Sequence, residues 1–136
     1  MEIIRLFIDF AFVILIWIIQ IIIYPSMNKI RGRSFFEWHN SYTKQISFFI
    51  APLLFVQSIC ILFQAIFNFD GLLIFDICLL ILAWVYTFLV INPVHNQLNF
   101  SNQRTLNVNK LIQVNRMRAA AWSLLFLNSA IRFLWI

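Results

Sequence analysis

Residues 71–91, GLLIFDICLLILAWVYTFLVI, decide the fold of this chain. The stretch carries a single charged residue, Asp76, in about 20 positions, which is the length that an α-helix needs to cross about 30 Å of hydrocarbon. Three further apolar stretches of similar length predict a four-span membrane protein in one domain, residues 1–136. The predicted spans are residues 3–25, 46–67, 71–91 and 117–136.

The composition requires lipid around most of the chain. Of its 136 residues, 62% are hydrophobic and 11% are charged, and the mean hydropathy is +0.87. A soluble fold of this size cannot bury so much apolar surface. We therefore expect an all-α, integral membrane, antiparallel four-helix bundle with helical extensions on its cytoplasmic side.

The basic residues are sorted by connector. Eight of the ten follow the first and third apolar stretches, so the positive-inside rule predicts that both basic connectors are cytoplasmic and both termini lie outside. The net charge of +5 fits this orientation and contact with anionic headgroups, and no nucleic-acid-reading motif accompanies it. We expect membrane lipids as partners, and no nucleic acid. The eight residues are Lys29, Arg31, Arg33, Lys44, Arg104, Lys110, Arg116 and Arg118.

Local motifs predict several helix ends. Ser34-Phe35-Phe36-Glu37 is a capping box, which predicts a helix start ahead of the second span. Asn92-Pro93 predicts the end of the third span, because proline disfavours helical geometry in the residue before it. Ser101 or Asn102 is placed to cap the last helix.

Other features concern the second span and the turn after it. Pro52 predicts a bend, because it removes the partner of the Phe48 carbonyl. A short turn, Asn68–Gly71, then leads to the third span. Cys60 and Cys78 lie at similar depth near this turn, so they either pack as free thiols or form a disulfide.

Charged residues inside the spans predict a polar layer in the outer half of the bundle. Two cations and two anions at matching depth neutralise one another, whereas any one of them facing lipid costs about 2.5–3.5 kcal/mol. We expect a structural ion network, which Asn128 can join. Ion conduction is not expected, since only Gln57 and Gln64 offer polar steps through the middle. The predicted network residues are Arg5, Asp9, Asp76 and Arg132.

A second polar layer is predicted on the cytoplasmic side. All four predicted helices contribute hydrogen-bonding side chains there, which is typical of a pocket in a membrane bundle, with Gln57 as its floor. The alternative is that the arginine and histidines extend to headgroups and the aromatic residues form an interfacial belt. The predicted pocket residues are Trp17, Gln20, Tyr24, His39, Tyr42, Gln57, His95, Asn115, Arg118 and Trp122.

The chemistry that this second layer supports is proton transfer. Two histidines with Glu37 match an iron site in number, but Glu37 points away from His39 at i, i+2, so we expect no metal. A haem is not expected, because both histidines lie near the headgroups, and neither is another cofactor. His39 or His95 can move a proton near neutral pH, while Arg118 holds an oxyanion, enolate or phosphate.

Four motifs follow one another along nearly the whole chain: Trp17-x-x-Gln20 with Tyr24-Pro25; Trp38-His39 and Tyr42 ahead of Pro52; Pro93-x-His95-x-x-Leu98; and Asn115-x-x-Arg118-x-x-x-Trp122. In their order and spacing, the chain resembles a group of small bacterial four-helix membrane proteins and, more remotely, the anthrone-oxygenase-like membrane family. The resemblance implies location in the bacterial inner (cytoplasmic) membrane. The remote relatives imply oxidation of aromatic polyketides without metal or flavin.

Two functions stay open at this point. The first is a small membrane enzyme, a cofactor-independent oxygenase or isomerase acting on an apolar ring or prenyl compound, with His95 as base, His39 as second proton carrier and Arg118 as anion holder. The second is a non-catalytic accessory subunit or lipid-binding scaffold of a larger membrane complex, with membrane protein partners or further copies of itself. A transporter ranks third, because a four-helix unit must dimerise to form an alternating path.

Overall fold

The computed structural model describes residues 1–30, 33–67, 69–100 and 104–135, and this part of the chain is helical without any strand. The expectation of an all-α fold is confirmed. Arg31, Asn68, Ser101 and Asn102, on which some predictions rest, lie outside the described residues. The helices are α1 (Glu2–Ile18), a π-helix (Ile19–Ile23), α2 (Tyr24–Ser26), a 3-10 helix (Met27–Lys29), α3 (Arg33–Phe67), α4 (Gly71–Tyr86), a second π-helix (Thr87–Ile91), α5 (Asn92–Phe100) and α6 (Arg104–Leu134).

Three continuous helical runs in the described residues are long and apolar enough to cross a membrane: Glu2–Lys29, Ser34–Phe67 and Gly71–Leu98. Their outward side chains are large and apolar. Phe48 is 78% exposed and Ile66 77%, values that a folded chain of this size tolerates when lipid covers them. The chain is thus a membrane protein, as the composition predicted.

Helix α6 is more polar than the other three runs and is not one of the three membrane-crossing candidates. It packs against α1 and α4, and α1 also packs against α3. The buried residues of α6 recur every three or four positions, so they share one face, and many of them are polar. They are Val108, Leu111, Asn115, Arg118, Ala119, Trp122, Leu125, Asn128, Ser129 and Arg132.

Each π-helix directly precedes a residue followed by proline. Pro25 and Pro93 have no N–H to offer the carbonyl four residues back. In both places the preceding residue bonds five residues back instead, Tyr24 to the Ile19 carbonyl and Asn92 to the Thr87 carbonyl. The wider turn allows the helix to pass the proline, and such turns often lie at functional sites.

The expectation that the third span ends at Asn92-Pro93 is therefore wrong, because the helix does not end there. The π-helix carries the run past Pro93 into α5, which ends at Phe100. Pro52 likewise lies inside α3, which continues through it. The bend predicted at Pro52 stays a prediction.

The predicted starts of α3 and α4 hold in outline. Helix α3 begins at Arg33, so Ser34 lies in its first turn and does not precede it. Helix α4 is capped by Asp70, whose carboxylate accepts from the backbone N–H of Leu73 at 2.8 Å. Cys60 is buried, Cys78 is exposed, and both are free thiols.

The interior holds two apolar clusters. One surrounds Trp122 and includes Phe12 and Ile61, and the other surrounds Met27 and includes Leu111. Predicted polar residues lie beside both apolar clusters. Those beside the second cluster form the candidate functional site.

Candidate functional site

A cavity of about 520 Å³ opens between α3 and the run from α4 to α5. Its polar lining comes from all four long helical runs, the fourth of which is α6. Of the ten predicted pocket residues, five line this cavity: Tyr24, His39, Tyr42, His95 and Arg118. The apolar wall consists of residues that carried no sequence signal beyond hydrophobicity, among them Ile46, Ile50, Leu54, Trp84, Phe88 and Ile91.

Three side chains at the cavity form a hydrogen-bonded chain. The Tyr24 hydroxyl lies 3.1 Å from Nε2 of His95, and Nδ1 of His95 lies 2.9 Å from Nε2 of His39. The two imidazole rings are stacked with their centroids 5.2 Å apart. The π-helix before Pro25 delivers Tyr24 and the one before Pro93 leads to His95, so both proline adaptations serve this contact.

The contacts of His95 change the role predicted for it. Both of its ring nitrogens are engaged, one by Tyr24 and the other by His39. A base that takes a proton directly from a ligand needs a free lone pair. His95 therefore occupies the middle of the chain, and Tyr24 is the member that can meet a ligand and pass a proton inward.

Arg118 provides the positive charge of the cavity. Its side chain is buried, with 4% of the residue exposed, and its Nε has no hydrogen-bond partner. One terminal nitrogen donates to the Asn115 side-chain oxygen at 3.3 Å, and the guanidinium lies 5.1 Å from the centre of the Trp122 ring. In the described part of the chain, Arg118 takes part in no ion pair.

Three further predicted pocket residues do not line the cavity, and one of them, Asn115, accepts the hydrogen bond from Arg118. Asn115 donates to the Gln20 side-chain oxygen at 2.8 Å, and Gln20 donates to the Ile112 carbonyl at 3.1 Å. Trp17 donates to the Ser123 hydroxyl at 3.2 Å and is 43% exposed. These contacts tie α1 to α6 and fix the position of Asn115.

Gln57 and Trp122 connect the two polar layers, so the prediction of Gln57 as the pocket floor needs correction. The amide of Gln57 donates to Asp9 at 2.5 Å, and its oxygen accepts from the Trp122 indole at 3.3 Å. Both residues are fully buried and neither lines the cavity. Their hydrogen-bonding groups are committed to the protein.

The predicted ion network is centred on Arg5, and we call it the Arg5 cluster: Arg5, Asp9, Asp76, Gln57, Gln64 and Asn128. Arg5 bonds Asp9 at 3.3 Å and Gln64 at 2.6 Å, and it also pairs with Asp76. Asn128 donates to Asp76 at 2.6 Å. Every carboxylate oxygen of the cluster therefore accepts a hydrogen bond, which offsets the cost of burying the charges.

Arg132 was predicted to join this network, and the structure assigns it a different partner. It bonds both carboxylate oxygens of Asp70, at 2.8 and 2.9 Å. Together with the backbone N–H of Leu73, Arg132 lowers the pKa of Asp70 below its ordinary value of 3.8. The sequence placed Arg132 at the depth of Asp76, but the cap of α4 brings Asp70 closer.

The described residues contain no group of three or more His, Cys, Asp and Glu side chains that could hold a metal ion. Glu37, the third residue of the triad considered from the sequence, is exposed on α3. The site thus combines two imidazoles, two phenols and one guanidinium with an apolar wall. Six further polar side chains also line the cavity: Asn40, Thr43, Ser47, Thr87, Asn92 and Asn96.

The fold and site together define the class: an all-helical membrane protein with a polar cavity between its helices. Comparison with family models, curated proteins and solved structures finds no match. The resemblance to the anthrone-oxygenase-like family therefore stays a prediction.

Proposed function

We propose that the protein crosses a bacterial inner membrane four times and that its cavity binds an apolar ring or prenyl compound, on which it performs proton transfer. The observation that carries the proposal is the chain Tyr24–His95–His39 beside Arg118 at one cavity wall. Proton carriers and a fixed cation at one apolar site are the parts that enolate or phenolate chemistry requires.

The polarity of α6 supports its role as the fourth span. Its polar residues face α1 and α4, whereas the residues on its outer side, including Met117, Leu124, Leu127 and Ile131, are apolar and exposed. A helix of this kind presents hydrocarbon to lipid although its average hydropathy is low. Four spans in alternating directions then leave both basic connectors cytoplasmic and both termini outside.

This topology has a direct test. Cys60 and Cys78 are replaced by alanine, and single cysteines are then introduced at the exposed positions Phe69, Asn109 and Trp135. A membrane-impermeant maleimide should label positions 69 and 135 in intact cells, and position 109 only after the membrane is opened. Labelling of position 135 only after the membrane is opened would refute the fourth span.

The proposed reaction begins when the ligand gives up a proton to the oxygen of Tyr24. The Tyr24 proton moves to Nε2 of His95, and the Nδ1 proton of His95 moves to Nε2 of His39. The net change is a cation on His39 and an anion on the ligand, which Arg118 holds. Return of the proton from His39 to another carbon gives an isomer. In the oxygenase alternative, dioxygen forms a bond to a carbon of the anion, and the proton from His39 converts the resulting peroxide anion to a hydroperoxide.

The second candidate is a non-catalytic accessory subunit or lipid-binding scaffold. The Arg5 cluster favours it, because this cluster bonds four helices together and leaves nothing free for a ligand among its carboxylate oxygens. In that case the outward aromatic residues would meet membrane protein partners or further copies of the chain.

Hydrogen exchange from a weakly acidic ring compound separates the two candidates. Anthrone, an apolar ketone with acidic methylene hydrogens, is incubated with purified protein in D₂O, and deuterium uptake is followed by mass spectrometry. The enzyme proposal expects exchange above the buffer rate, with loss in Tyr24→Phe and His95→Phe and no change in Arg116→Gln, an exposed cation outside the cavity. Equal exchange in all four proteins would favour the accessory subunit.

A further inference from the structure

The buried cation of the cavity indicates what the ligand must carry. Resting on the proposed function, we infer that the substrate is an oxygen acid with an apolar body, held as its anion with the oxyanion against Arg118. A phenol, an enol and a carboxylic acid belong to this class.

Among the described residues, no carboxylate of the protein pairs with Arg118. The chain has five acidic residues, all within the described residues. Asp9 and Asp76 bond Arg5, and Asp70 bonds Arg132. Glu37 is exposed, and Glu2 lies in the first turn of α1, beside Asp70 and Arg132. Each acid is therefore placed away from the cavity.

Arg118 has a hydrogen-bond donor that is not used within the described part of the protein. Its Nε has no partner, and the bond from its terminal nitrogen to Asn115 is long at 3.3 Å. Leaving a buried guanidinium without a compensating anion is costly. An oxyanion against Arg118 would restore both the charge balance and the missing hydrogen bond.

The apolar part of the cavity lining constrains the rest of the ligand. It is formed by side chains such as Ile50, Leu54, Trp84 and Phe88. Phe88 is 55% exposed, so the wall reaches the outer surface, where lipid-soluble molecules enter. One cation beside an apolar wall fits a molecule with one acidic head and an apolar body.

The test compares two fluorescent ring compounds that differ in charge. Purified protein in a phospholipid-free detergent is titrated with 9-anthracenecarboxylate and with 9-anthracenemethanol, its neutral analogue. We expect the carboxylate to bind about 10- to 100-fold more tightly, the ratio that a charge-assisted hydrogen bond supplies. Arg118→Gln should remove this preference, Arg118→Lys should keep part of it, and Arg116→Gln should leave it unchanged.

Equal affinity for the two compounds in the native protein would overturn the inference, even if Arg118→Gln does not fold. A preference that persists in Arg118→Gln but disappears in Arg116→Gln would assign it to surface charge and overturn it as well. Phosphatidylglycerol serves as competitor: displacement at stoichiometric amounts assigns the oxyanion to a lipid phosphate, and no displacement assigns it to a separate lipophilic acid.

His95→Phe distinguishes failure of this inference from failure of the proposed function. The variant lacks the proton relay but keeps Arg118. Carboxylate preference in His95→Phe together with absence of deuterium exchange in the native protein would leave the anion site standing and remove the enzyme. Deuterium exchange in the native protein without any carboxylate preference would support the enzyme and overturn the anion site.

Discussion

The indole N–H of Trp122 donates to the side-chain oxygen of Gln57 at 3.3 Å, and this contact joins the cavity wall to the Arg5 cluster. On one side Arg118 lies over the Trp122 ring, and on the other Gln57 donates to Asp9. The two polar layers are therefore mechanically connected through one glutamine. No proton can pass along this connection, because the indole nitrogen is a donor only.

Replacement of Gln57 by leucine should destabilise the protein. The substitution leaves the Trp122 N–H and one oxygen of Asp9 buried without partners, at about 1–3 kcal/mol for each unsatisfied group. Thermal unfolding of the purified variant in detergent measures the loss. Gln113→Leu, at an exposed position of α6, should change the unfolding temperature little, and an equal loss in both variants would contradict the bridging role of Gln57.

Removal of the cation at the centre of the Arg5 cluster should be more damaging. Arg5→Met leaves the carboxylates of Asp9 and Asp76 buried without a positive partner, a change that costs about 3–5 kcal/mol in buried ion pairs. The yield of monodisperse protein and its unfolding temperature should both fall.

Neutralising the two acids provides the matching control for Arg5→Met. The triple variant Arg5→Met, Asp9→Asn, Asp76→Asn removes the unpaired charges and should recover part of the lost stability. If the triple variant were less stable than Arg5→Met alone, hydrogen bonding to the carboxylates would outweigh charge balance in this cluster.

The hydrogen-bonded chain at the cavity has a spectroscopic signature. Tyr24→Phe removes one hydroxyl and keeps the ring, so it should shift the Nε2 signal of His95 in ¹⁵N-histidine spectra, while the Nδ1 contact to His39 is retained. Thr43→Val, which removes a hydroxyl lining the same cavity, is the control. Unchanged histidine spectra in Tyr24→Phe would show that the hydroxyl does not bond His95.

The sequence predicts which polar residues of this site are buried and at what depth, but it does not predict which partners they bond. The burial of charges at Arg5, Asp9 and Asp76 follows from the cost of exposing them to lipid, and their grouping follows from equal depth. Depth alone does not specify a partner within one helical turn, which is why Arg132 was assigned to the wrong acid. The contacts of Gln57 depend on which way an amide points across the bundle, and helical periodicity does not determine this.

The two π-helices show the other limit. The two prolines identify where the regular α-helical hydrogen bonding is interrupted. Whether a helix ends or widens at proline depends on whether the freed carbonyl finds another partner. The second π-helix carries the run past Pro93, α5 packs against α6, and His95 lies against His39. If the helix ended at Asn92, His95 would lie in a connector, and its contact with His39 would not be predictable from helical spacing.

Asp70, which lies between the second and third spans, gives the chain a pH-dependent element outside the membrane-spanning segments. The pKa of Asp70 is lowered in the folded protein, so its contribution to stability is fully present above the ordinary pKa of 3.8 and is lost as the pH falls through the lower, folded value. Because the Asp70 side chain is 48% exposed, this contribution should be less than about 1 kcal/mol.

Asp70→Asn isolates this contribution, since asparagine caps a helix about as well as aspartate but cannot hold a charge. The difference in unfolding temperature between the native protein and Asp70→Asn should be constant above about pH 5, roughly a unit above the ordinary aspartate pKa, and should shrink below about pH 4. Titration of the other acids is common to both proteins and cancels. A difference that stays constant down to pH 2 would mean that hydrogen bonding to Arg132, and not the charge of Asp70, stabilises this end of the bundle.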